Sequence, residues 1–111
     1  MLFSINCFGI NGNELHRLLN SEDMDERNYA KYYIMAAVDG INYYKATEIS
    51  IAKLEKRKPD LRFFICTGKV IYNQSFDVVK NYLSNHPEIR NESAIDLASL
   101  ALFEAWPCTN N

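Results

Sequence analysis

Glycine and proline are scarce in this 111-residue chain, at four and three residues. The glycines stand singly, so no glycine-rich loop can cradle a phosphate and nucleotide binding has no support. Nowhere do eighteen apolar residues run together, which excludes a membrane-spanning helix. An excess of one charge is also missing: twelve Lys and Arg stand against fourteen Asp and Glu, for a net charge of -2. No overall field therefore recommends nucleic acid or an anionic membrane as partner. Three cysteines and two histidines are present, and no two cysteines share a C-x-x-C spacing, so neither metal nor cofactor is expected. Neither His16 nor His86 lies in a recognisable catalytic signature. The acidic neighbours Glu22 and Asp23, or Asp25 and Glu26, are adjacent in a solvated stretch, whereas glycoside hydrolysis needs an apposed pair. There is no fixed-period repeat and no low-complexity segment. An enzyme is not what this sequence describes.

The segment "MLFSINCFGI" is apolar but lacks a basic n-region, adequate length and a small-residue cleavage site, so it is not an intact signal peptide. Met1 reads as an initiator placed on a mature or trimmed chain. With 48% hydrophobic and 23% charged residues, residues 1–111 read as a single domain.

What is present is helical periodicity. In "NGNELHRLLN", Leu15, Leu18 and Leu19 fall at i, i+3, i+4, and Gly12 or Asn13 can start the turn. The acidic "SEDMDE" leads into a second helix, where carboxylates favour the dipole. "RNYAKYYIMAAVDGINYY" then places Tyr29, Tyr33, Ala36, Ala37, Gly40 and Tyr44 on one face. That stripe is either packed inside the domain or a tyrosine-rich partner or dimer surface. Asp39 reads as a buried polar residue satisfied by a neighbouring helix end. In "KATEISIAKLEKRKPDLR", Thr47 or Ser50 can cap a further short helix carrying Ile51 and Leu54. The cluster Lys53, Lys56, Arg57 and Lys58 before Pro59 is a solvated helix end or a contact for an acidic partner. "RFFICTGKVIYNQ" breaks the helical pattern and permits either a short hairpin or an extended loop around residues 62–73.

The next helix begins near Ser75, carries Phe76, Val79 and Leu83, and ends before His86 and Pro87. A last helix follows Asn91 or Ser93 as cap, presents Ala94, Leu97, Ala98, Ala101, Leu102 and Ala105, and is closed by Trp106 and Pro107. The fold class is mainly α, a compact bundle of four to five helices. Spacing alone leaves the cysteines open: two of them paired, or three reduced thiols. An antiparallel hairpin of the last two helices, however, returns Cys108 to the point just before which Cys66 lies, favouring a Cys66–Cys108 bridge with Cys7 unpaired. Such a bridge closes a loop of roughly 43 residues and stabilises by about 4 kcal/mol.

Taken in order, "GNELHRLL", "YYIMAAVDG", "FFIC" and "FDVVKNYLSNHPEIRNESAIDLASLALFEAWPC" resemble the Tai-type immunity proteins (Rap/Tai family) of bacterial type VI secretion. The resemblance covers residues 12–108. Its most specific part is the ordered series Val79, Tyr82, Leu83, His86, Pro87, Ala94, Ala101, Leu102, Pro107 and Cys108. Where family members carry further cysteines this chain has Leu18, Leu19, Tyr29 and Ala30, so a second bridge is not expected. The usual proline-containing loop after the middle cysteine is here "TGKVIYNQ". The resemblance implies a non-catalytic periplasmic protein, often dimeric, that inhibits a peptidoglycan amidase effector by occluding its active-site cleft. Lys69, Tyr72, Asn73 and Gln74, from the segment between Cys66 and the following helix, are the candidate partner-binding residues, with core packing as the alternative for Tyr72. Two readings compete with it: a non-catalytic helical interaction or stress module of the bacterial cell envelope, and, far behind, a small enzyme using Cys7 or His86.

Overall fold

Asn11 opens the first helix. Its side chain accepts the Glu14 backbone N–H at 2.9 Å, and α1 (Gly12–Leu19) runs from there. The cap thus falls just before the Gly12 or Asn13 start that the sequence suggests, because an asparagine outside the helix can turn its carbonyl onto the first orphan amides. Leu15, Leu18 and Leu19 are all buried. The chain is described here from a computed structural model, which covers residues 9–66 and 72–108; Cys7 and Lys69 lie outside the described residues.

A hydrogen-bonded corner links α1 to the next helix. The Asp23 side chain caps it by accepting from Asp25 N–H at 2.8 Å, Ser21 Oγ donates to Glu26 at 2.7 Å, and Arg17 bridges Glu14 (2.9 Å) and Glu26 (3.0 Å). From this corner α2 (Met24–Leu54) continues for 31 residues, about 46 Å at 1.5 Å per residue. The separate short helix expected near Ile51 and Leu54 is therefore the end of α2. Thr47 does not cap it, because its Oγ1 donates back to the Tyr43 carbonyl at 3.0 Å within the helix, and Ser50 likewise lies inside α2.

The helix ends in a Schellman arrangement. Arg57 N–H donates to Ala52 O at 2.9 Å and Lys56 N–H to Lys53 O at 3.2 Å. Lys56 occupies the left-handed position, with φ of 56°, where glycine is the usual residue. The basic cluster at this end is partly neutralised internally. Arg57 donates to Glu48 and Glu55, each at 2.7 Å, and Glu48 also accepts from Asp60 N–H at 2.7 Å. The Arg57 guanidinium first, and the Asp60 amide second, push the Glu48 carboxyl down to about 2.

No strand occurs among the described residues. The segment leading to Cys66 turns at residues 61–64, where Phe64 N–H donates to Leu61 O at 3.2 Å, and is then held by an isolated antiparallel bridge between Ile65 and Pro107; the middle of the expected hairpin or loop, residues 67–71, lies outside the described residues. α3 (Tyr72–Asn85) begins three residues before Ser75. Ser75 is fully buried on its inner face with Val79 and Leu83, so it is a core position and not a cap. The helix stops at His86, whose Nδ1–H donates to the Tyr82 carbonyl at 2.8 Å while its ring stacks on that of Tyr82, and a short 3₁₀ turn, Pro87–Ile89, follows.

α4 (Ala94–Ala105) starts at Ser93, as the sequence allows, yet the serine hydroxyl makes no capping bond. Backbone takes that role. Ala94 N–H donates to Ile10 O at 3.0 Å, Gly12 N–H to Glu92 O at 2.9 Å, and Asn13 N–H to Arg90 O at 2.7 Å. The two segments approach so closely that a Cβ on Gly12 would run into the Leu97 side chain and stand 2.9 Å from the Arg90 carbonyl oxygen. Leu15, Ile34, Val79, Leu83, Leu97 and Leu102 are each essentially inaccessible to solvent and draw the core from all four helices. Full burial of such side chains stabilises by about 1.5–3 kcal/mol each. The result is the mainly α bundle that the periodicity indicates.

Candidate partner-binding site

The sequence-chosen residues that are described stand at the start of α3, against α2. Cys66 and Cys108 are joined by a disulfide with a Cα–Cα separation of 4.7 Å. The same corner is tied again by the Cys66 N–H bond to Trp106 O at 3.1 Å and by Lys45 Nζ of α2, which donates to Ile65 O at 2.9 Å. Hydrophobic burial adds to these ties, since Ile65 and Cys108 are both in the interior.

Of the sequence-chosen residues, Tyr72, Asn73 and Gln74 form the first turn of α3, all exposed. They sit on a helix end and not on a loop. Tyr72 retains 38% exposure and so is not a core residue. Its hydroxyl donates to the Asp39 carboxylate of α2 at 2.7 Å, and this bond is the main reason its pKa is raised. Asp39 is thus met by a neighbouring helix end as the sequence suggests, but on the surface: position 39 points away from the buried stripe of Ala30, Ile34, Ala37, Val38 and Ile41. One turn into α3, Phe76 carries Lys31 of α2 over its ring at 5.7 Å.

The small-residue stripe of α2 divides lengthwise. Ala37 is buried, Tyr33 and Gly40 are half-buried, and Tyr29 and Tyr44 are exposed. Together with Ile95 and Ser99 of α4, the residues Tyr33, Ala36, Ala37, Gly40, Ile41 and Tyr44 line an open groove of about 350 Å³. Further exposed rings stand on the outer side of α2, with Tyr32 at 67% and Tyr43 at 64% exposure.

His16 Nδ1 faces the Asn20 side chain and His86 binds the Tyr82 carbonyl, so among the described residues no hydroxyl or thiol is hydrogen-bonded to either ring. Burial first, then the charges of Arg90 and Lys80, push the His16 pKa down. No group of three or more His, Cys, Asp or Glu among the described residues could hold a metal ion, and no described helix is long and apolar enough to cross a membrane.

Lys45 and the partner of Asp39 escaped sequence reasoning: Asp39 lies 33 residues from Tyr72, and Lys45 lies 20 from Ile65. No local spacing signals such pairs.

No curated protein and no solved structure matches this chain. The sequence model of the Rap1a immunity proteins matches residues 11–108. That span runs from the Asn11 cap to the disulfide-bonded Cys108 and takes in all four helices, so the chain belongs to the Rap1a immunity protein family.

Proposed function

We propose that this protein is an immunity protein of type VI secretion that binds a peptidoglycan amidase effector and inhibits it by occluding the active-site cleft, without chemistry of its own. The family match over residues 11–108 carries this reading. The surface supports it. Tyr72, Asn73 and Gln74 stand exposed at the start of α3, beside the connection that contains Lys69, and the Tyr72 ring is oriented by its bond to Asp39. A tyrosine so placed offers a large, rigid contact area with a polar tip, which suits an interface anchor. The Cys66–Cys108 disulfide suits an oxidising compartment, and the periplasm is where a peptidoglycan amidase acts. A homodimer would use the α2 stripe, whose open groove leaves apolar surface for a second copy.

Occlusion is stoichiometric. The purified protein, titrated into a cell-wall amidase encoded beside its gene, should abolish peptidoglycan cleavage at a fixed molar ratio, with activity returning when the complex is dissociated. Undiminished cleavage in the presence of excess folded protein would refute the reading and favour an interaction module of the cell envelope. Sedimentation at micromolar concentration tests the dimer separately, and a clean monomer removes it.

A further inference from the structure

A second concave surface lies between α3 and α4, and no residue of α2 lines it. Val78, Tyr82 and His86 follow one another at four-residue spacing and form one wall. Ala101 and Ala105 of α4 oppose them with methyl groups only, and the missing bulk leaves an open groove of about 330 Å³, within the range of small ligand sites. Glu104 and two asparagines complete the lining, which contains no Lys or Arg among the described residues.

The chemistry of this groove has one sign. Because the His86 Nδ1–H is committed to the Tyr82 carbonyl at 2.8 Å, the neutral ring keeps its lone pair on Nε2, an acceptor. The Tyr82 and His86 rings stack with centroids 4.1 Å apart and planes at 24°. Glu104 is exposed and, like Glu88 of the 3₁₀ turn, forms no ion pair among the described residues. Burial first, then the charges of Glu104 and Glu88, push the Tyr82 pKa up, so the field of both carboxylates reaches this ring. α3 also carries no basic residue in its last turn, and the negative end of its dipole at Asn85 goes uncompensated from within the helix.

We propose that the α3–α4 groove is a binding site for a cationic side chain of a protein partner, a guanidinium or ammonium group laid against the Tyr82–His86 pair and matched in charge by Glu104. A cation over a tyrosine face is attracted by the quadrupole of the ring, and a planar guanidinium stacks there while its N–H groups remain free for a carboxylate. Carboxylate, ring face, Nε2 lone pair and helix C-terminus all favour positive charge, whereas an anion would find only the asparagine amides. The site lies toward the opposite end of α3 from Tyr72, His86 being fourteen residues on, about 20 Å along the helix axis. Recognition thus gains a second contact well away from the first.

That the partner is the effector rests on the immunity reading; the cation site does not, and the experiment separates them. Acetyl-arginine amide, with acetyl-glutamine amide as the neutral control, is titrated into the folded protein at constant ionic strength while the Tyr82 and His86 ring protons are followed by NMR. The cation should shift both rings and saturate with a Kd of roughly 1–10 mM, while the neutral amide binds about threefold more weakly or worse. Glu104→Gln, a change at an exposed position, should weaken the cation about threefold, and Tyr82→Leu should do the same by removing the ring face. Equal affinity for the two amides, or no saturable shift, overturns the site. Inhibition of the neighbouring-gene amidase is then titrated with Glu104→Arg and with Glu22→Arg, which makes the same change of charge on the α1–α2 corner. Glu104→Arg should weaken inhibition about tenfold or more, by setting like charges together, and Glu22→Arg should inhibit as wild type does. Undiminished inhibition by Glu104→Arg, or an equal loss in both variants, overturns the effector as the source of the cation. If wild type inhibits no amidase, the immunity reading and that assignment fall together, and the amide titration alone decides the site.

Discussion

Replacing Gly12 with alanine should destabilise the protein by about 2–3 kcal/mol, although alanine is the better helix former. The added methyl would collide with the Leu97 side chain and lie 2.9 Å from the Arg90 carbonyl oxygen and 3.1 Å from the Arg90 Cα. Leu97 is 2% exposed and has nowhere to go, so forcing a carbon into this contact costs about 1–3 kcal/mol. Moving the 90–92 segment away relieves the clash only by weakening the Gly12–Glu92 and Asn13–Arg90 bonds, each worth about 1 kcal/mol. Against this, alanine returns at most about 1 kcal/mol of helix propensity, and less at the first residue of a helix. The melting temperature, followed by far-UV circular dichroism with the disulfide intact, should fall by about 10 °C. Gly40→Ala is the matched control. Nothing lies within 4 Å of its Cβ position, so the same substitution in mid-helix should stabilise by about 1 kcal/mol. If both variants are stabilised equally, the close approach of α1 to α4 is not what requires glycine at position 12.

Replacing Cys66 and Cys108 together by serine should cost about 4 kcal/mol in urea unfolding, because the bridge spans a sequence separation of 42 residues; a loss below about 1 kcal/mol would contradict the chain-entropy argument. Lys56→Gly should stabilise by about 0.5–1 kcal/mol, since φ of 56° is strained for a side chain and free for glycine, and differential scanning calorimetry would show it. Glu48, whose ordinary pKa of 4.5 is pushed down to about 2, contributes stability that is fully present above pH 4.5 and is lost as pH falls toward 2. Wild type should therefore lose more stability than Glu48→Gln across that window, and parallel curves would show that the Arg57 contact adds nothing.

The helical bundle was legible because periodicity and breakers agree: Leu15, Leu18 and Leu19 at helical spacing, the stop at His86 and Pro87, and the small-residue face from Ala94 to Leu102 each fall where the pattern puts them, while Ala105 at the end of that pattern is exposed. Helix boundaries were less legible where a hydroxyl had two uses. Thr47 reads as a cap and bonds backward within α2 instead, and Ser75 reads as a cap but faces the core. At the start of α4 the serine is in the cap position while backbone from the other end of the chain satisfies the amide, a long-range contact that no local rule contains. The stripe on α2 follows from spacing, but whether another element covers it depends on how far α4 reaches, and α4 covers only its inner edge. The candidate site shows the same division. Exposure of Tyr72, Asn73 and Gln74 is compatible with their polarity, whereas the Asp39 and Lys45 bonds belong to tertiary structure.

The three bonds that lock residues 10–13 to residues 90–94 run from main-chain amide to main-chain carbonyl. Such a lock places no demand on side-chain identity beyond the absence of one at Gly12. Surface positions on α2 and α3 can therefore drift freely through mutation while the frame that presents them persists. This architecture separates the main-chain frame that must stay fixed from the side chains it presents.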